Sequence, residues 1–543
     1  MRAKPAKKIN NFLDYGLNLV LVGVLTGIFA GTVVTFYNIL AHLFEGYAVN
    51  LYALIRDNPA FVPLLFLGLG AGAIVIGTFV KLVPMIRGSG IPQIEGAARG
   101  VVRFKWYVTL CSMFAASLAC MLMGLTAGAE GPSLEIGGCC GYGAGNLLKR
   151  NQMVKRLQTA AGASAGLAVA FNAPVTGMIF ALEEAFRSFS PQVFISSAIS
   201  VVAAIFTRNA FGQISGLHIN TGFVFSAYVY HGSISSWGGE TFAFCGFAVL
   251  AALVAALLGV AFYFLVFAAK NAFKKITFLR EAGKYIIPFA VMGVFGLITA
   301  YSMGGGSTFI QALATGGTGE FANTFEVFGI GIVLSILIIT VFKYVASVLA
   351  MGCGMPCGVF IPMLATGAGI GALLAIGFQN MGMNAAYTDY LIMITMAAFF
   401  TTIVKAPITG IVMVFELTGE FTNFLPALLG VAVGYVISEF FKLTPIYERC
   451  LAIYIEEEKL YEKIRKERVT VKVRARSRVD GAAIRSVIWP TNGLVVEITN
   501  TDGTKLVPDG EYILSAGVTL TFECETDNVP ELMEYLYDLC GKP

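Results

Sequence analysis

Charge is scarce in this chain. Asp, Glu, Lys and Arg make up 13% of its 543 residues, against 57% hydrophobic residues, and mean hydropathy is +0.75. That balance does not suit a soluble protein. Apolar runs of about 20 residues are long enough to span a bilayer, and many are present, so the sequence reads as an all-α polytopic membrane protein in a lipid bilayer. The net charge of +4 is small and spread along the chain, which gives no case for a nucleic-acid partner. Histidine is almost missing: His42, His218 and His231 form no metal-ligand spacing, and no cofactor is called for. There is no HExxH, no nucleophile–His–acid set and no GxxxxGK[ST] loop, so an enzyme is the least favoured class. The ten cysteines make no disulfide framework. Cys139, Cys140, Cys353 and Cys357 sit in small-residue helical context, and Cys524 and Cys540 sit in a soluble tail expected to be reduced. No short apolar core with a small-residue cleavage site follows the opening MRAKPAKKINN, so no cleaved signal peptide is expected. That arm is basic, and the positive-inside bias places it in the cytoplasm with the basic loop Lys270–Lys284. Lys149–Arg156 is equally basic, but counting does not assign its side where helices span only half the membrane.

Glycine, by contrast, is abundant at 61 residues, which fits close helix packing and interrupted helices. One glycine-broken stretch is the centre of the reading: Ala127–Gly138, AGAEGPSLEIGG. Glu130 lies between Gly128 and Gly131, and Pro132 suits the first turn of the helix that follows. The free N–H groups and the dipole at such a helix start favour negative charge. An ionised Glu130 or a free anion could each sit there, and the expectation is that they compete. The plainer alternative is a buried Glu that holds helices together, but ionisable residues inside a membrane are costly and usually mark a transport path.

Taken in order, residues 15–45, 61–83, 105–127, 158–186 and 190–209 read as apolar helices, and 215–242 as a polar loop. Arg87–Gln93, RGSGIPQ, is a second glycine-broken turn with a Pro inside a helix start. Its Ser89 hydroxyl and amides suit an anion held without a full positive charge, a combination that permits release; a simple Ser N-cap is the alternative. Glu183 and Glu184 are adjacent acids that face different directions on a helix, and a membrane-boundary charge is the favoured reading of Glu183. Asn172–Glu183, NAPVTGMIFALE, aligns without gaps on Lys405–Glu416, KAPITGIVMVFE. Gly128-x-x-x-Pro132 has a partner in Gly358–Pro362, and Gly304–Ser307 echoes the Ser89 turn. Paired interruptions of this kind point to a midplane site, although the matches alone do not say whether the repeats are inverted. After a last span at 424–441 comes Tyr447, a second hydroxyl near a membrane boundary, where an interfacial aromatic is the alternative. Residues 449–468 are a charged linker. From 469 onward, VTVKVRA, GLVVEITN and VTLTFECE read as strands and Asn528–Cys540 as an amphipathic helix, a small soluble α+β domain.

Together GSGIP at Gly88–Pro92, GAEGP at Gly128–Pro132, GVFIP at Gly358–Pro362 and the late Tyr447 resemble the CLC family of chloride channels and proton-coupled chloride antiporters, over roughly residues 15–448. The resemblance implies a CLC-type inverted repeat with broken half-spanning helices (repeats at about 15–210 and 243–448), one pore per subunit of a homodimer in the cell membrane, and cytoplasmic termini. It implies chloride held by the Ser89 and Tyr447 hydroxyls and the N–H groups of Val359 and Phe360. Glu130 would be the gate and proton carrier, and Glu184 the inner proton relay. An acid at 184 favours an exchanger of chloride and protons over a passive chloride channel, the first alternative. A membrane sensor signalling through the tail is the second. Ser89 favours chloride over nitrate or fluoride. Gln93 and Glu95 are candidate inner-entrance residues. Two positions depart from the family: Ala129 stands where a basic residue is common, and Glu135 where a neutral polar one is usual. Glu135 is a candidate modulator, since its charge would oppose ionisation of Glu130. The tail, through Gly481, Pro490, Gly503, Pro508 and Gly517, resembles a TrkA-C regulatory domain, which suggests a small ligand or dimer contact.

Overall fold

The structure, a computed structural model, describes residues 6–185, 191–215, 239–276, 281–315, 331–418, 424–458, 466–487, 489, 493–525 and 529–541. Most of the expected polar loop at 215–242, part of the charged linker and Pro490 lie outside these residues. The chain divides near Leu451 into two compact units, a helical one and a smaller tail.

The helical unit opens with α1 (Ala6–Asp57), α2 (Val62–Leu82), α3 (Ile91–Ala98), α4 (Trp106–Leu122) and α5 (Glu130–Leu147). It continues with α6 (Gln152–Phe171), α7 (Pro174–Phe180), which passes into a π turn over Ala181–Ala185, and α8 (Pro191–Ser215). The second half holds α9 (Gly239–Lys275), α10 (Ile286–Ile298), α11 (Ser307–Thr315), α12 (Ile332–Cys353) and α13 (Phe360–Gln379). It ends with α14 (Thr388–Val404), α15 (Pro407–Thr418), α16 (Phe424–Phe440) and α17 (Ile446–Glu457). Among the described residues, seven helical stretches are long and apolar enough to cross a membrane. Those on α1, α2 and α8 leave large apolar side chains such as Leu64, Leu67 and Phe206 exposed, as a lipid-facing surface requires, whereas α14 is buried along its whole length. The 8-residue α3 rises only about 12 Å, less than half of a hydrocarbon core of about 30 Å. The single apolar run expected at 158–186 is two helices, because Asn172 takes a left-handed turn (φ 55°) ahead of Ala173-Pro174.

The repeat has a direct structural counterpart. Lys405 takes the same left-handed turn (φ 59°) ahead of Ala406-Pro407. At the start of α15, Glu183 accepts from the N–H of Ile408 (2.9 Å), the N–H of Thr409 (2.7 Å) and the Thr409 hydroxyl (2.7 Å). At the start of α7, Glu416 accepts from Val175 N–H (2.9 Å), Thr176 N–H (2.7 Å) and the Thr176 hydroxyl (2.6 Å). Each segment's terminal acid therefore caps the other's first turn, where orphan N–H groups and the dipole favour an anion. That exchange is possible only if the two segments run antiparallel, which makes the repeats inverted. It also corrects the reading of Glu183 as a boundary charge: the carboxylate is an N-cap supplied from the opposite repeat.

Glycines let the inner helices approach closely. A Cβ on Gly137 of α5 would lie 2.3 Å from the Gly162 carbonyl of α6, and one on Gly162 2.2 Å from that of Gly137. Small residues of this kind are the usual means by which membrane helices pack.

In the tail, β1 (Lys466–Lys472), β2 (Gly493–Thr499), β3 (Lys505–Leu506) and β4 (Thr519–Glu525) form an antiparallel sheet in the order β1-β4-β2-β3. The helix α18 (Val529–Cys540) closes a core of Val471, Ile498, Leu520, Phe522, Leu532 and Leu536. The three strands and the helix expected from sequence are all present.

Candidate functional site

Three glycine-broken turns meet where three helices begin. Gly128, just before α5, and Gly358, just before α13, pair as an isolated antiparallel bridge: Gly128 N–H donates to Gly358 O (2.7 Å) and Gly358 N–H to Gly128 O (2.8 Å). The Ser89 turn joins them. A Cβ on Gly131 would lie 2.7 Å from Ser89 O and 3.1 Å from Gly358 Cα, so a side chain larger than hydrogen does not fit there. Gly88 N–H donates to Gly354 O (3.0 Å), which ties the Ser89 turn to the segment leading into α13. The starts of α3, α5 and α13 thus converge on one place, and the first-turn N–H groups of a helix have no acceptor within it. Non-helical backbone at membrane depth is tolerated where it is enclosed by protein or lines a cavity, and Ser89, Glu130, Val359 and Phe360 are all buried.

Glu130 is the first residue of α5. Its carboxylate faces the backbone N–H groups of Ala129, of Glu130 itself and of Ile361, the second residue of α13. The acid therefore lies at the amides of two helix starts. Val359 and Phe360 stand immediately before Ile361, and the Phe360 ring is walled by Phe171, Phe180 and Phe400 at centroid distances of 5.1, 6.3 and 4.7 Å. Tyr447, near the start of α17, is fully buried, and its hydroxyl has no protein partner among the described residues. Both Glu184 and Glu130 lie within Coulombic reach of that hydroxyl.

The inner-entrance candidates take a different form. Gln93 and Glu95 are 2% and 1% exposed, so neither lines an open vestibule. Gln93 Nε2 donates to Arg87 O (2.7 Å) and braces the Ser89 turn. Glu95 pairs with Arg99 one turn on, and Arg99 Nη2 donates to the backbone carbonyl of Glu184 (3.3 Å). Short α3 buries every side chain it carries, which is why these two residues are enclosed. Glu135 is fully buried and packs on Gly90 of the Ser89 turn.

Two charged residues beside the candidate site escaped the sequence reading. Lys343, in the middle of α12, is wholly buried and donates to Met303 O (2.7 Å) and Gly304 O (2.8 Å). Glu45 of α1 packs on Gly304 and lies within Coulombic reach of both Lys343 and Glu130. The available signal was a lone Lys inside an apolar span, which is a functional-site candidate by its cost alone.

The fold and the converging helix starts define a transport protein of the inverted-repeat kind. The voltage gated chloride channel family matches residues 71–439, and the chain belongs to that family. Among curated proteins it is similar to an H(+)/Cl(-) exchange transporter ClcA of Vibrio cholerae serotype O1, 27% identical over 474 residues that cover 84% of this chain and 95% of the relative. A ClcA of Klebsiella pneumoniae is 26% identical, covering 80% and 88%. Among solved structures, a slow cyanobacterial Cl-/H+ antiporter superposes with a TM-score of 0.68 at 22% identity, covering 82% of this chain and 98% of that one. A CLC-type fluoride/proton antiporter gives 0.60 at 19%, covering 78% and 96%. At such identities the structures speak for the fold.

Proposed function

We propose that this protein is a secondary active transporter that exchanges chloride for protons, with Glu130 as both gate and proton carrier. One observation carries the reading: the Glu130 carboxylate faces the amide of Ile361 at the start of α13, beside Val359 and Phe360. A carboxylate in a cradle of amide hydrogens occupies a place that suits a halide, so the two compete for it. A protonated Glu130 has no charge to hold it there and yields the cradle to chloride. Ser89, Tyr447 and the N–H groups of Val359 and Phe360 are the chloride ligands in this scheme, and Glu184 passes the proton on the inner side. The exchangers named among the curated relatives support the antiport reading.

The physiological unit in this proposal is a homodimer with cytoplasmic termini. The basic N-terminal arm supports that orientation. The tail serves as a TrkA-C-like regulatory module, for a small ligand or for dimer contact.

The test is flux in liposomes of purified protein, with chloride and proton electrodes read together. Wild type is expected to move protons uphill when a chloride gradient is imposed. Glu130→Gln is expected to keep moving chloride and to stop moving protons. Proton pumping by Glu130→Gln contradicts the proposal, and a wild type whose potential follows chloride alone identifies a passive channel instead.

A further inference from the structure

Glu135 has no task in the scheme above, yet its setting is specific. It is 0% exposed, and neither carboxylate oxygen has a protein hydrogen-bond partner among the described residues. It is aimed at the Ser89 turn: a Cβ on Gly90 would lie 2.0 Å from Glu135 Oε2. Gly90 is left-handed (φ +77°), which suits glycine, and the absent side chain leaves the space that the acid fills.

The position of Glu135 follows from helix direction. The helices α3 and α5 run side by side the same way, since Gly131 meets Ser89, Glu135 meets Gly90 and Gly138 meets Ile94. Glu135 is therefore about 7.5 Å beyond Glu130 along the axis. Farther in that direction Glu95 pairs with Arg99, which holds the Glu184 carbonyl. Glu130, Glu135, Glu95 and Glu184 thus follow one another away from the helix starts. The facing groups are few. The Cys139 thiol lies one turn on along α5, Glu95 is on α3, and α1 brings Tyr37 and Glu45 to the Glu130 end. Neither α4 nor α13 carries a charged residue. The basic residues of α6, Lys155 and Arg156, sit at the far end against Gly145 and Gly100.

An unpaired carboxylate in such an enclosure is costly, whereas a neutral acid is tolerated. We propose that Glu135 is a proton-binding station between Glu130 and Glu184, seated directly beside the anion site. This rests on the antiport reading. In the step proposed, the O–H bond of a protonated Glu130 breaks, and the proton, carried by water, forms an O–H bond on the Glu135 carboxylate. Glu130 is left ionised, and Glu135 then gives the proton on toward Glu184.

Glu135→Gln keeps the shape and removes the titratable group. In the two-electrode liposome assay it is expected to retain chloride flux and to lose proton flux by roughly tenfold or more, while Glu135→Asp, which keeps a carboxyl, restores part of the coupling. Glu135→Leu, of similar volume, gives the same readout if the amide prevents folding. A coupled wild type with an equally coupled Glu135→Gln or Glu135→Leu overturns this proposal alone. A wild type that carries no protons overturns the antiport reading and this one together.

Discussion

Removing the Glu183 carboxylate should separate a structural acid from the neighbouring Glu184 proposed to relay protons. Glu183→Ala deletes the acceptor for two N–H groups and a hydroxyl at the start of α15. Ile408 loses the acceptor for its N–H, and Thr409, 0% exposed, loses it for both of its donors. A buried donor left unpaired costs about 1–3 kcal/mol in soluble proteins, whereas interhelical hydrogen bonds within a bilayer average about 0.6 kcal/mol. Here the acceptor is charged and sits on a helix N-terminus, which raises its contribution. We therefore expect Glu183→Ala to destabilise the helical unit by about 2–4 kcal/mol. Glu183→Gln keeps one acceptor oxygen and should cost about 1 kcal/mol. Glu416→Ala removes the matching three bonds and should cost the same within a factor of about two. Unfolding of the detergent-solubilised protein, titrated with SDS and followed by circular dichroism, measures each value. The proton-to-chloride ratio of the folded variants should stay at the wild-type value. A loss under about 0.5 kcal/mol, or a loss for one acid and not the other, refutes the reciprocal cap.

Two further outcomes test other parts of the chain. Glu184→Val should stop proton movement while chloride continues to cross, read with the same pair of electrodes; unchanged coupling would remove Glu184 from the proton path. In the tail, burial pushes the Cys540 thiol up to about 11 from its ordinary 9.0. A raised thiol keeps its proton longer in the folded state, so its contribution to stability is intact below the ordinary value and is lost as pH climbs through the folded one. Alkylation of the full-length protein, resolved by mass spectrometry, should therefore find Cys540 slow at about pH 8, and fast labelling there would show that the α18 core is open.

The helices and the interrupted turns were legible because glycine and proline punctuate apolar runs at positions that physics restricts. The run 158–186 was read as one helix because Asn172, the residue that breaks it, is not a glycine, and a left-handed Asn leaves only a weak trace in sequence. Inversion of the repeats followed from the family resemblance and not from the internal matches. Sequence identity between Asn172–Glu183 and Lys405–Glu416 carries no direction, and the exchanged caps supply one. The tail strands were plain from their alternation. Gln93 and Glu95, expected as inner-entrance residues, are both buried on α3.

Lys343 changes how the loss of a basic residue at Ala129 should be read. The missing charge suggested weaker attraction for an anion, yet a buried lysine amine donates to the Gly304 turn. Its charge does not reach the site unopposed. Two carbonyls hold the ammonium, and Glu45 answers it across Gly304 while also facing Glu130. A cation with an acid beside it contributes less field than a lone one, so in the proposed scheme the cradle relies on amide dipoles and hydroxyls. Dipoles attract an anion without binding it irreversibly, and they favour a carboxylate and a chloride by the same means. In the proposed scheme, a lysine with no acid beside it would hold chloride and the Glu130 carboxylate alike more tightly and slow their exchange. Glu45 thus belongs with the candidate site as much as the lysine does, since it lies within Coulombic reach of both Lys343 and Glu130.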